Sequence, residues 1–114
     1  MFSGIVVRGD GIGRTMGYPT ANLDTPQRKV DLDPGVYAVW VTLRRKKYKG
    51  ALAIQDKPWK VEVHLIGYNA GDFYGTYLEV EPMQKVSEMC VFNSKYELKE
   101  KIDRDLEMVR GVFE

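Results

Sequence analysis

Four glycines, Gly9, Gly11, Gly13 and Gly17, fall within nine residues directly after a strand-like run, with Arg14 among them. Glycines let a backbone curl until several N–H groups converge on one anion. A guanidinium adds charge-assisted bonds to phosphate oxygens. The segment is not a P-loop, which needs GK[ST] opening a helix, whereas Gly13 leads into Arg14. On their own, glycines between strands are more often just a turn. The tail, Tyr18, Pro19, Thr20, Ala21 and Asn22, shifts that balance. Pro19 stiffens the chain, and Thr20 and Asn22, two apart in an extended segment, face the same way. A hydroxyl and an amide carbonyl are hard neutral donors suited to a Mg²⁺ ion held mainly by phosphates and water. The competing reading is a turn in which Asn22 bonds its own backbone.

Further along, Lys60 to Ile66, KVEVHLI, alternates cleanly. Val61, Val63 and Leu65 share one face, and Glu62, His64 and Ile66 share the other. Read alone, Glu62 is the polar side of a half-buried strand. His64 is the sole histidine and is read as structural, with no metal-ligand partner in the sequence. Cys90 is the sole cysteine, so no internal disulfide forms and a structural free thiol is expected.

These groups need a scaffold, and length and composition bound it. The 114 residues suit one domain, residues 1–114, and with 44% hydrophobic and 29% charged residues they suit a globular one. Seventeen basic against sixteen acidic side chains leave a charge of +1, without the broad positive field of a nucleic-acid binder. The basic run Arg44 to Lys47 lies between apolar segments and reads as a solvated hairpin tip. No stretch approaches a membrane span or a signal-peptide core, so a cytoplasmic protein is the expectation. A monomer is the separate expectation for its assembly.

Before about residue 92 the pattern is strand-like. Phe2 to Arg8, Val36 to Leu43, Tyr48 to Ile54, Lys60 to Ile66 and Tyr77 to Glu81 are runs of β-branched and aromatic residues separated by turn formers. Leu23 to Pro34 is the least structured stretch and a loop or flap candidate. From Ser94 the period changes: Leu98, Ile102, Leu106, Val109 and Phe113 form one helical stripe. Ser94 and Glu97 fit a capping box, and Glu97–Lys101 and Glu100–Arg104 are acid-before-base pairs at spacing four. Five or six short strands with a terminal helix predict a small antiparallel barrel, since closure removes unpaired edges. An open sheet with one helix on its face is the alternative.

With these elements in place, VVRGDGIGRTMGYPTANLD resembles the opening of the riboflavin kinase (flavokinase) family, whose hallmark is a Gly-rich loop leading into PTAN. GVY at Gly35 to Tyr37, VEVHL at Val61 to Leu65, DFYG at Asp72 to Gly75 and the closing FNSKYELKEKIDRDLE follow in the family's order. The resemblance covers nearly the whole chain. It implies an all-β fold, a six-stranded antiparallel Greek-key barrel with a C-terminal α-helix. It also implies transfer of the γ-phosphate of ATP to the ribityl 5′-hydroxyl of riboflavin, giving FMN and ADP with Mg²⁺.

By the same resemblance Glu62 is the catalytic carboxylate, accepting the hydroxyl proton. Thr20 and Asn22 reach the metal, and Gly9, Arg14, Thr20, Leu65 and Tyr74 belong to the nucleotide side. Ser87, Cys90 and Phe92 occupy the flavin-contacting positions, with Ser87 where the family has arginine. The link before the glutamate strand, AIQDKPWK, is shorter than the family's. The adenylyltransferase module of many bacterial relatives has no room here, so a kinase alone is expected. A non-catalytic flavin- or nucleotide-binding module, or a kinase of a related hydroxylated substrate, are the other readings of the same barrel.

Overall fold

Runs of β-branched and aromatic residues form the strands of a computed structural model, which describes residues 1–8, 20–68, 73–90 and 92–114. The strands are β1 (Phe2–Val7), β2 (Ala21–Asp24), β3 (Gly35–Leu43), β4 (Lys46–Asp56), β5 (Trp59–Leu65) and β6 (Tyr77–Ser87). A helix, α1 (Lys95–Val112), follows them. All pairings are antiparallel, and the order β1-β2-β5-β4-β3-β6 closes into a barrel through β6 and β1. Strands β3, β4 and β5 form a meander and β2 returns beside β5, which is a Greek key. The predicted barrel is therefore the observed one, and the open-sheet alternative falls.

Period-two alternation decides what lies inside. Val39, Val41, Leu52, Ile54, Val61, Val63, Leu78 and Val80 are at most 2% exposed and fill the barrel. Each such side chain contributes about 1.5–3 kcal/mol of burial. A second, smaller cluster sits outside the barrel wall, where Val36 and Ala38 of β3 meet Val109 of α1. The helix is thus riveted to the sheet by its C-terminal half. Phe113 completes that contact edge-on to Trp40, ring centroids 4.9 Å apart.

Three local features differ from the sequence expectation. The hairpin tip is only Arg44 and Arg45, both left-handed at φ 50° and 70°, and Lys46 and Lys47 already belong to β4. Two such residues form the turn whose twist matches the flanking strands. Strand β6 runs well beyond Glu81, because bulges opposite Ala38/Val39 and Val36/Tyr37 absorb Pro82 and the residues after it. The stretch from Leu23 to Pro34 is not a free flap. It starts in β2, contains a 3₁₀ turn at Gln27–Lys29 and buries Val30. The Trp59 indole donates to the Thr25 carbonyl at 2.7 Å, and the Tyr37 hydroxyl donates to the Asp33 carbonyl at 2.7 Å.

The helix start follows the sequence closely. Ser94 Oγ accepts from the Glu97 N–H at 3.1 Å, while the Glu97 carboxylate reaches back to the N–H of Asn93 at 3.0 Å, one residue before the cap. Lys101 departs from its expected partner Glu97. It pairs with Asp105 instead, drawn by burial to the inner side of the helix.

Candidate active site

Strand registry aligns the outward-facing residues into one row that crosses all six strands. Val7 pairs with Asn22, Asn22 with Glu62, Glu62 with Ala53, Ala53 with Val36, and Val36 with Ser87. Glu62 stands between the oxygen donors of β2 and a floor of small apolar residues. At about 4.8 Å per strand, Glu62 and Ser87 are separated by about 14 Å along the wall.

The N-terminal half of α1 and the segment after β6 arch over that floor. Between them and the barrel lies a cavity of about 310 Å³, within the range of small-molecule sites. Ala51, Ala53 and Val36 form its floor, and Leu98, Ile102 and Leu106 of α1 form the roof. Met89, Cys90 and Phe92 close one side. Leu98 and Ile102 belong to the helical stripe, yet they are only partly buried where Leu106 and Val109 are fully so. Half of the stripe packs on the barrel, and half faces the cavity.

At the mouth, Thr20 donates its hydroxyl to Glu62 Oε2 at 3.3 Å, and Lys60 pairs with Oε1 at 2.9 Å. Both carboxylate oxygens keep lone pairs for a further donor. Thr20, Lys60, Glu62 and His64 all line the cavity. A second polar group lies in the wall. Lys101 Nζ donates to Ser87 Oγ at 2.8 Å and to Asp105, and Ser87 Oγ donates to Asp105 Oδ1 at 2.7 Å.

The structure brings Glu62, Thr20, Cys90 and Phe92 to one cavity and sets Asn22 beside Glu62 in the strand register. Ser87 lies behind the wall, its hydroxyl engaged by Lys101 and Asp105. Tyr74 stands outside the cavity, 42% exposed with the Arg8 guanidinium 5.1 Å from its ring centre. Leu65 turns its side chain into the barrel interior, 4% exposed and on the face of β5 opposite Glu62, so only its backbone is open to a ligand on the outer face. Gly9 and Arg14 lie outside the described residues. Sequence reasoning missed Ala51, Ala53, Lys101 and Asp105. The signal for the last two was a Lys and an Asp at spacing four flanking the apolar stripe.

The donors near Glu62 suit a metal carried in by phosphate. Thr20 and Asn22 offer neutral oxygens, and no cluster of three His, Cys, Asp or Glu side chains exists among the described residues. A hard divalent ion would therefore draw most of its ligands from phosphates and water.

A closed Greek-key barrel with a helix-roofed, largely apolar cavity lined in part by the Glu62 carboxylate defines the architecture of a small-molecule-binding β-barrel. A family model described as Flavokinase: Riboflavin kinase matches residues 1–113, and the chain belongs to the riboflavin kinase family. It is 38% identical over 120 residues to a bifunctional riboflavin kinase/FMN adenylyltransferase from Buchnera aphidicola, covering 97% of this chain and 38% of that protein. It is 40% identical over 118 residues to the protein of the same description from Escherichia coli, covering 97% and 37%. The chain thus spans little more than a third of the length of these curated relatives.

Among solved structures, riboflavin kinase from Trypanosoma brucei superimposes with a TM-score of 0.74 at 23% identity, covering 96% of this chain and 74% of that one. It shares the fold. A Streptococcus pneumoniae structure titled macrolide-efflux protein matches with a TM-score of 0.85 at 32% identity, over 96% of this chain and 38% of that one. Among the described residues here, no helix is long and apolar enough to cross a membrane.

Proposed function

We propose that this chain transfers the γ-phosphate of ATP to the 5′-hydroxyl of riboflavin, giving FMN and ADP, with residues 1–114 acting as one cytoplasmic riboflavin-kinase-like domain. The observation that carries the reading is Glu62, fixed by Thr20 and Lys60 at the mouth of an apolar cavity. The flavin ring fits between the alanine floor and the helix roof, and the ribityl chain runs along the register row toward Glu62.

Glu62 accepts the 5′-hydroxyl proton as the hydroxyl oxygen forms its bond to the γ-phosphorus. The bond from that phosphorus to the β,γ-bridging oxygen breaks, and ADP leaves. Transfer of this kind depends on alignment and charge neutralisation more than on a strong base. Two bonds to the carboxylate hold it in one orientation before the substrate arrives. The floor and roof exclude water, which would otherwise compete for the phosphoryl group. Thr20 and Asn22 would hold Mg²⁺, which neutralises phosphate charge when bound. Gly9, Arg14 and Tyr74 are assigned to the nucleotide side.

Incubation with riboflavin, ATP and Mg²⁺ is expected to yield FMN, separated by chromatography. Folded protein that binds both substrates and releases no FMN with ATP or other triphosphates would overturn the reading.

A further inference from the structure

Lys101 and Asp105 line an otherwise apolar part of the cavity, with Ser87 bonded to both from behind the wall. The Lys101 and Asp105 side chains are only 13% and 9% exposed. An ion pair so placed loses most of its hydration, and apolar residues of similar volume would usually hold the helix as well or better. Placed beside a cavity, the pair has room for a further partner. Each member has capacity left: Lys101 uses two of its three donors within the cluster, and the Asp105 carboxylate accepts two bonds and has room for more.

The register row gives the orientation. With the 5′-hydroxyl at Glu62, the ring must lie toward Ala53, Val36 and Ser87, about three strand spacings or about 14 Å away. The flavin ring has two unlike ends. One is a dimethylbenzene edge without polar atoms, and the other is an imide edge presenting carbonyl, N–H and carbonyl. The dimethylbenzene edge against Lys101 and Asp105 would remove their remaining water and return nothing. The imide edge supplies an acceptor for the ammonium and a donor for the carboxylate.

We propose that Lys101 and Asp105 read the imide edge of the flavin: Lys101 Nζ donates to a ring carbonyl and Asp105 accepts from the ring N3–H. Ser87 fastens the pair to β6. This inference rests on the riboflavin reading above and extends it to ring specificity.

The test compares riboflavin with 3-methylriboflavin, which lacks the N3–H, by quenching of flavin fluorescence on the full chain. Wild type is expected to prefer riboflavin by about tenfold, the loss expected when a charged acceptor is left unpaired. In the double variant Lys101→Met/Asp105→Leu, which removes both charges together and strands neither, the preference is expected to fall within about twofold. Its KM for ATP should stay unchanged. Lys101→Arg retains the donor and is expected to keep the preference. Equal affinity of wild type for the two flavins, which needs no variant to fold, overturns the inference. So does a preference that survives in the folded double variant. If wild type binds neither flavin, the activity reading falls and this inference falls with it.

Discussion

Thr20, just before β2, meets Glu62 of β5, the threonine hydroxyl donating to the carboxylate at 3.3 Å. Lys60, two residues before Glu62 on the same strand, takes the other oxygen at 2.9 Å. The carboxylate is therefore oriented from two sides while its outer lone pairs face the cavity.

Glu62→Gln keeps the shape and the Thr20 contact but cannot take a proton. FMN formation is expected to slow by about 10²–10⁴-fold in single-turnover assays, with little change in nucleotide affinity. The ion pair with Lys60 is about a quarter exposed, so its loss should cost at most about 1 kcal/mol of stability. Equal losses in the chemical step and in ATP binding would contradict the proton-accepting role.

Ala53 lies between Glu62 and Val36 in the register row and forms part of the cavity floor. Ala53→Leu points outward from the barrel, so the melting temperature should hold. Crowding of the flavin by the larger side chain is expected to cost about 1–3 kcal/mol, or roughly 10–100-fold in riboflavin affinity by fluorescence titration. Unchanged affinity would move the flavin elsewhere.

Ser94 caps α1 from an exposed position outside the cavity lining. Ser94→Ala should remove about 1 kcal/mol of stability. Because the capped half of the helix is the cavity roof, riboflavin affinity should fall in parallel with the melting temperature. A drop in one without the other would uncouple cap and roof.

Arg44 and Arg45 both hold left-handed backbone that suits Asn and Gly far better. Arg44→Asn with Arg45→Gly is expected to stabilise the fold by about 1 kcal/mol, raising the melting temperature by a few degrees. The Arg44 contact to Thr76 that is lost is exposed and 3.4 Å long. Activity should not change, since the tip lies outside the cavity lining.

Burial raises the Tyr37 phenol above its ordinary value of 10.0, Lys85 offsets part of the rise, and Asp33 and Glu88 add to it. The folded state therefore holds this proton more tightly than the unfolded chain. Its contribution is complete below about pH 10 and is lost as the pH rises through the folded-state value. Denaturant titrations across that range should show a steeper fall in stability for wild type than for Tyr37→Phe. Matching curves would remove Tyr37 as the cause.

The parts of this protein that were legible in its sequence are those with a local signature. The alternation of KVEVHLI located β5, and Ser94 with Glu97 marked the start of α1 to the residue. Only the first half of β6 is visible in the sequence, because Pro82, Met83 and Gln84 interrupt its alternation and bulges that depend on β3 restore the pairing. Leu65 follows from the same alternation, which turns Glu62 outward and the Leu65 side chain inward. Lys101 and Asp105 were hidden for another reason. An acid and a base at spacing four look the same on a solvated face and on a cavity wall, and only the position of the barrel tells them apart.

The divided stripe of α1 has a consequence for stability. Val109 is satisfied by the barrel, but Leu98 and Ile102 in the cavity roof gain their full cover only when something apolar fills the space beneath them. A bound flavin would then act as the missing piece of the protein's interior. Occupancy would be written into thermal denaturation, with the melting point climbing as the logarithm of free ligand once the concentration exceeds the dissociation constant.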